Sequence, residues 1–230
     1  MELNKNPRKI SGMFDEIAGS YDFLNHLFTL NIDKIWRRKL VDCLISSGIK
    51  TEVIIDLASG TGDLTKELLR LNPLKIYSCD ISQGMLDVQK RKISSPLLET
   101  VLAGSELLPR EKESVDIVTI GFGIRNFDNP GKSLGEINRV LKKNGMLIVL
   151  EMFGNSVKSP FFFFYFGKIV PKIGKIVSGS AYAYDYLYNS VKEFKNLSEF
   201  TDLCAVSGFE HVNSVNNFRK FVYTVYYRKI

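Results

Sequence analysis

Eleven residues, Val53-Ile54-Ile55-Asp56-Leu57-Ala58-Ser59-Gly60-Thr61-Gly62-Asp63, constrain this chain more than any other stretch. A continuous apolar run suits a strand of a parallel sheet covered on both faces, because such a strand has no side that meets water. Gly60 and Gly62 flank Thr61 in a tight turn, and a helix opens at Asp63. The turn falls at the carboxyl end of a strand, where open α/β sheets receive ligands.

Two ligands compete for such a turn. A nicotinamide site uses G-x-G-x-x-G, whose backbone N–H groups and helix dipole receive a pyrophosphate. Here Thr65 stands at the third glycine position. Asp56 and Asp63 bracket the loop, and Asp80 ends the next apolar run, Ile76-Tyr77-Ser78-Cys79-Asp80. These carboxylates would repel a phosphate and complement a ligand with an ammonium and a sulfonium, such as S-adenosylmethionine. Asp80 lies 24 residues beyond Asp56, a spacing at which an acid accepts hydrogen bonds from ribose hydroxyls. That spacing signals a nucleoside without choosing between the two cofactors. Read singly, Asp63 is an N-cap and Asp80 a strand-end turn residue; their combination with Gly60-Thr61-Gly62 is what favours a site.

A chain of 230 residues suits one domain with a substantial core. Its 31 Lys+Arg against 25 Asp+Glu leave a net charge of +6, too mild to indicate nucleic acid. Cys43, Cys79 and Cys204 are far apart and odd in number, so neither a disulfide framework nor a zinc site is expected. They read as buried thiols in a reducing compartment. No charged segment leading into an apolar one opens the chain, so a cytoplasmic location is expected rather than secretion.

Residues 1–12 read as a mobile arm. Beyond Met13 a helical pattern puts Ile32, Ile35, Trp36, Leu40, Cys43 and Leu44 on one face and Lys34, Arg37, Arg38 and Asp42 on the other, so residues 1–50 are free to lie across the sheet as a helical lid. Helices are predicted over 64–71, from Ser82, over 131–142 and over 197–206, and strands over 98–102, 115–120 and 146–151. The last two strands, 208–215 and 218–228, are joined at Asn216-Asn217, a pair suited to a tight hairpin. Strands alternating with helices make a doubly wound, mostly parallel sheet, here finished by antiparallel C-terminal strands. A helical insert, 154–192, follows the fifth strand. Its residues 154–180 hold no acid, run Pro160-Phe161-Phe162-Phe163-Phe164-Tyr165-Phe166 and set Lys168, Lys172 and Lys175 on one helical face. The run is too short to span a bilayer. It reads either as a surface for an anionic membrane and a greasy substrate or as core packing with solvated lysines.

The chain resembles the quinone-biosynthesis C-methyltransferases over nearly its whole length. The resemblance rests on Tyr21-Asp22-Phe23-Leu24-Asn25 with Trp36-Arg37, on 56–63, on Phe122-Gly123-Ile124-Arg125-Asn126, on Arg139-Val140-Leu141-Lys142 before Gly145, and on Leu150-Glu151. It implies a seven-stranded Rossmann-like methyltransferase sheet and S-adenosylmethionine-dependent, metal-free C-methylation of a reduced polyprenyl quinone. Demethylmenaquinol is the first expectation and a ubiquinone precursor the alternative; the oligomeric state stays open, and no nucleic-acid partner is expected. Asn31 and Asp33 stand where relatives often carry a glycine and a histidine, so no histidine base is expected there. Gly104-Ser105 replaces a common Asn-Ala pair, and Gly121 a serine.

Asp56, Gly60, Thr61 and Gly62 are assigned to the methionine part of the donor, Asp80 to the ribose and Ser105 to the adenine edge, with Ser59, Ile81 and Gly104 beside them. Arg125 is a candidate to stabilise a phenolate, since its guanidinium is always charged; a structural ion pair is the competing reading. Tyr21, Asn126, Tyr182 and Tyr186 are candidate quinol contacts, against a simple core role for the tyrosines.

Overall fold

Ile, Val and Leu at successive positions, odd and even alike, require strands sandwiched between helices. In the computed structural model, which describes residues 3–154, 164–170, 172 and 181–230, seven strands satisfy this. They are β1 (Val53–Leu57), β2 (Lys75–Asp80), β3 (Leu98–Leu102), β4 (Val115–Gly121), β5 (Leu141–Met152), β6 (Phe209–Phe218) and β7 (Val222–Lys229). Their order is β3-β2-β1-β4-β5-β7-β6. β1 to β5 pair in parallel, whereas β7 runs antiparallel to both β5 and β6. The expected mostly parallel sheet with an antiparallel C-terminal end is therefore present.

The helices are α1 (Pro7–Ile17), α2 (Tyr21–Thr29), α3 (Ile32–Ser47), α4 (Asp63–Leu68), α5 (Gln83–Lys92), α6 (Pro130–Val140), α7 (Ala181–Glu193) and α8 (Leu197–Val206). Ile55, Val118, Leu147 and Val149 pack on one face of the sheet with Ile137 of α6 and Phe200 of α8. Ile54, Ile117 and Ile148 pack on the other with Leu40 and Leu44 of α3 and Leu68 of α4. β1 has β2 on one side and β4 on the other, so the strand order reverses there and a crevice opens at the carboxyl ends. Cys79 and Cys204 are buried thiols as expected, which burial pushes up to about 12; Cys43 is half-buried.

Four expectations change. Residues 7–12 belong to α1, capped by the Asn6 side chain, which accepts from the Arg8 N–H at 3.0 Å. Ile10, Met13 and Ile17 form a stripe buried with Leu24, Phe28 and Met85, a spacing that the neighbouring basic residues obscure. On α3, Ile35 is 51% exposed while Arg37 is buried. The Arg37 guanidinium bonds to Asp33 and lies 5.5 Å from the Phe122 ring centre, so a buried ion pair displaces the apolar stripe onto Trp36, Leu40, Val41 and Leu44.

The helix predicted to reach 142 ends at Val140, and the strand predicted over 146–151 begins at Leu141, with Lys143-Asn144-Gly145 an irregularity inside it. Asn144 is left-handed at φ 62°, and the register against β4 moves from Val115 opposite Leu141 to Ile117 opposite Met146. Finally, the hairpin turns at Phe218–Phe221, not at Asn216-Asn217. Phe218 sits opposite Val222, and the Phe221 N–H donates to the Phe218 carbonyl at 2.7 Å. Apolar pairing of Phe218 with Val222 outweighs the turn preference of the asparagines.

Of the insert, a π-helical turn at Tyr165–Ile169 and α7 are described. Lys168 and Lys172 are exposed, whereas Pro160–Phe163 and Lys175 lie outside the described residues. Val170, Ala183 and Tyr186 join α1, α2 and Met85 in a third apolar cluster apart from the sheet. Among the described residues no helix is long and apolar enough to cross a membrane.

Arg219 and Lys220, the central residues of the hairpin turn, have φ 42° and 59°, a region that costs a side chain of this kind roughly 1–2 kcal/mol. Replacing Arg219 by Asn and Lys220 by Gly therefore raises stability by up to about 1 kcal/mol after the glycine's unfolded-state entropy is counted. Urea denaturation checks this, and a destabilised variant would place the turn elsewhere.

Candidate functional site

The glycine loop rests on a buried polar network. Asp56 accepts from Thr65 Oγ1 at 2.6 Å and from Thr119 Oγ1 at 2.8 Å. Gln89 Nε2 donates to Ser78 Oγ at 2.7 Å and to Thr65 Oγ1 at 3.2 Å, and Ser59 Oγ donates to Gln89 Oε1 at 3.4 Å. Thr65 occupies the third glycine position because its hydroxyl links α4 to the end of β1. Gly62 has φ 85°, and a Cβ there would lie 2.6 Å from Gln89 Cγ, so the turn closes only over glycine. Burial pushes the Asp56 carboxyl from its ordinary 3.8 to about 6, against the two threonine hydrogen bonds.

Asp80 presents its carboxylate at the crevice. Oδ2 accepts from the Gly60 N–H at 2.8 Å and Oδ1 from the Ser82 N–H at 2.9 Å, while burial raises its carboxyl against these bonds. Asp80, Gly60, Ile81, Gly104 and Ser105 line a cavity of about 300 Å³ together with Leu57, Ala58, Met85 and Phe127. Ser105 Oγ lies 2.8 Å from Ser133 Oγ. Asp56, Ser59, Thr61 and Gly62 line neither this cavity nor the next. Asp56, assigned to the methionine part of the donor, is fully buried with its carboxylate on Thr65 and Thr119.

A second cavity of about 310 Å³ is mostly apolar, with Phe28, Trp36, Tyr165, Leu187, Phe221 and Val222 among its walls. Phe14, Tyr21, Phe122 and Asn126 line both cavities. Arg125 reaches the second cavity as a fixed cation. Its Nη1 donates to Glu151 Oε1 and to the Phe122 carbonyl, each at 2.7 Å, and Nε donates to Ser190 Oγ at 3.3 Å. Burial raises the Glu151 carboxyl against the pull of Arg125, and Glu151 Oε2 has no hydrogen-bond partner among the described residues. Tyr186 donates to Asn126 Oδ1 at 3.2 Å. Burial pushes the Tyr186 phenol up to about 12 and raises that of Tyr21, so both are hydrogen-bond donors at neutral pH. Tyr182 is 58% exposed and lines neither cavity.

Charged contacts bind the N-terminal helices to the loop. Asp22 accepts from Thr61 Oγ1 and from Lys92 Nζ, the latter at 2.7 Å. Lys92 also reaches Asp63 at 2.5 Å. Asp15 Oδ1 accepts from Ser82 Oγ at 2.6 Å and from the Gly84 N–H at 2.8 Å. His26 places Nδ1 2.9 Å from Asp33 and Nε2 3.4 Å from Asp63. An imidazole thus enters from α2 beside Asp33, but both ring nitrogens face carboxylates and His26 lines neither cavity. Burial favours a neutral Asp63, yet Arg37 and Lys92 hold it below the usual range. With Arg37 on Asp33 and Lys92 on Asp63, the cluster His26, Asp33 and Asp63 is an ion-pair network rather than a metal centre.

Of the three acids invoked against a phosphate, Asp80 alone lines the crevice, while Asp56 is held by Thr65 and Thr119 and Asp63 by Lys92. Residues that the sequence reading missed are Lys5, Ile10 and Phe14, which α1 and its approach bring to the cavity wall. The signal for Ile10 was the stripe at 10, 13 and 17.

The sequence pattern described as "ubiE/COQ5 methyltransferase family" matches residues 2–225. The chain is 36% identical over 215 residues to a demethylmenaquinone methyltransferase of Chlorobaculum tepidum, covering 90% of this chain and 86% of that one. It is 39% identical over 213 residues to the ubiquinone/menaquinone biosynthesis C-methyltransferase UbiE of Campylobacter jejuni, covering 88% and 89%. A SAM-dependent methyltransferase structure from Aquifex aeolicus shares the fold, with a TM-score of 0.61 at 17% identity over 82% of this chain and 88% of that one.

Because the folded state holds the Asp56 proton more tightly than the unfolded chain, this group's contribution to stability is full below pH 3.8 and is lost as pH rises through about 6. Relative to the non-titrating Asp56→Asn variant, the protein loses on the order of 3 kcal/mol between pH 3.5 and 7. Denaturation at a series of pH values measures this, and a difference that stays constant would show that Asp56 is not buried as a carboxyl.

Proposed function

The chain belongs to the ubiE/COQ5 methyltransferase family, and on that premise we propose that its two joined cavities carry out S-adenosylmethionine-dependent C-methylation of a polyprenyl quinol, demethylmenaquinol to menaquinol. The observation that carries this reading is the junction of an Asp80-lined cavity with a mostly apolar one that two buried guanidiniums, Arg37 and Arg125, reach; Asp33 pairs with Arg37, and Glu151 holds Arg125.

The residues fit the methyl donor. Asp80 keeps acceptor lone pairs beyond those used by Gly60 and Ser82, which suits a ribose diol. Ile81, Met85 and Phe127 offer an apolar slot for an adenine ring, with the Gly104-Ser105 backbone at its edge. Gly60 brings backbone close to the methionine end, opposite Tyr21; Ser59, Thr61 and Gly62 shape the loop. Bound there, S-adenosylmethionine supplies a methyl group on a cationic sulfur that leaves as a neutral thioether, so no metal is needed for the transfer.

The remaining roles belong to the second cavity. A ring carbon becomes nucleophilic when the quinol gives up a phenolic proton to solvent, and Arg125, fixed by Glu151 and Ser190, stabilises the resulting phenolate. After the methyl transfer the ring carbon sheds its own proton and the oxygen regains one, restoring the aromatic quinol with one proton released overall. Tyr186 and Asn126 orient the ring oxygens, and Tyr21 stands between donor and acceptor. Apolar walls exclude water and hold the two reactants in line. In this reading residues 1–230 form one methyltransferase domain, 1–50 its lid and 154–192 its substrate-side insert. The protein works at the inner face of the membrane, where a polyprenyl quinol partitions.

Labelled S-adenosylmethionine with reduced demethylmenaquinone or with a ubiquinone precursor tests the assignment. Label in menaquinol is expected; label only in the benzoquinol product would exchange the acceptor, and label in neither would overturn the reading. Asp80→Ala weakens donor binding by ~1.5–3 kcal/mol, the value of a hydrogen bond to a charged group, and unchanged calorimetric affinity would remove Asp80 from the site. Removing Arg125 alone strands the buried Glu151, so the informative variant is Arg125→Ala with Glu151→Gln. It slows turnover on the order of 100-fold at unaltered donor affinity; undiminished turnover would retire the phenolate role.

A further inference from the structure

Helix α2 is apolar on both sides, a pattern that belongs to covered helices. Its inner face places Leu24 and Phe28 in the third apolar cluster and Tyr21 and Asn25 on the cavities. Its outer face carries Phe23, Leu27 and, at its C-terminal cap, Leu30, spaced by four and three residues and 61%, 40% and 74% exposed. Leu30 is held at φ 53°, a backbone region unfavourable to leucine, where Asn or Gly would sit without strain. The outer surface continues onto α3 with exposed Ile35, Lys34, Arg38 and Lys39, and none of these three bases pairs with an acid among the described residues. The acids of the two helices are engaged elsewhere: Asp22 on Lys92, Asp33 on Arg37 and Asp42 on Arg70. Leu30 also lines the apolar cavity, so that cavity meets the outside in the middle of this patch.

We propose that the outer face of α2 and the first turns of α3 dock on an anionic lipid bilayer and seat the mouth of the apolar cavity against it. An apolar stripe flanked by free bases matches an interface of acyl chains under negative headgroups, with insertion to ~5–10 Å. A second copy of the chain fits less well, because an isologous contact would bring Lys34, Arg38 and Lys39 against themselves. The docking surface deepens the reading of the cavity as a quinol site by giving a long tail a route from the bilayer without crossing water, and it rests on that reading only for the identity of the lipid carried.

The test is co-sedimentation with phosphatidylglycerol-containing and pure phosphatidylcholine vesicles, run with methylation of a tail-less soluble quinol. Two variants serve: Phe23→Asn with Leu27→Gln and Ile35→Asn, and Lys34→Glu with Arg38→Glu; none of these residues lines either cavity. The unaltered protein is expected to favour the anionic vesicles, and each variant to lose at least about tenfold in partition while methylating the soluble quinol at the original rate. Vesicle binding equal to that of the unaltered protein in both variants would overturn the proposal. So would a dimer in solution that the apolar variant converts to monomer without a change in vesicle binding. If no quinol is methylated but vesicle binding still depends on the patch, the functional reading fails and the docking surface is supported.

Discussion

The Asp80 carboxylate is the joint on which this site depends. It accepts one N–H from the glycine loop after β1 and another from the start of α5, so the ends of two strands and one helix are fixed around it. A carboxylate so buried is expensive unless its lone pairs are used, and two backbone donors supply that compensation from groups that would otherwise be unsatisfied themselves. Beneath it the Asp56, Thr65, Ser78 and Gln89 network holds the loop from the other side. The loop is therefore a rigid shelf with one acid above and one below, and only the upper one meets the crevice.

Arg125 and Glu151 form the counterpart in the apolar cavity. Burying this pair costs solvation on both sides, and a hydrophobic pair of the same volume would serve packing as well or better. Under the proposed function, its place beside a mostly apolar cavity suits a substrate that becomes negative. Tyr21, Phe122 and Asn126 are shared by both cavities and mark the boundary between them.

The sheet and its crevice were legible in the sequence because they rest on local patterns: unbroken apolar runs, paired glycines, and an acid at a strand's end. Thr65 and Gly62 are readable in the same way, once the turn is known to close over Gln89. What escaped depends on distant partners. Asp22 meets Thr61 and Lys92 across 39 and 70 residues, and nothing in the local sequence of any of them announces it. Arg37 looks like a solvated base until Asp33 and Phe122 are placed beside it. Likewise, spacing shows that Asp56 and Asp63 flank a loop but not which way their carboxylates turn, so the charge argument for a cationic donor counted two acids too many. Tyr182 and Tyr186 lie one helical turn apart, yet only the second reaches the cavity.

Calorimetric titration of the unaltered protein with S-adenosylmethionine and, separately, with NADH tests the central claim most directly. A crevice built around Asp80 without a third loop glycine is predicted to bind the sulfonium donor and to give no heat with the dinucleotide. Binding of NADH with no response to S-adenosylmethionine would contradict the account.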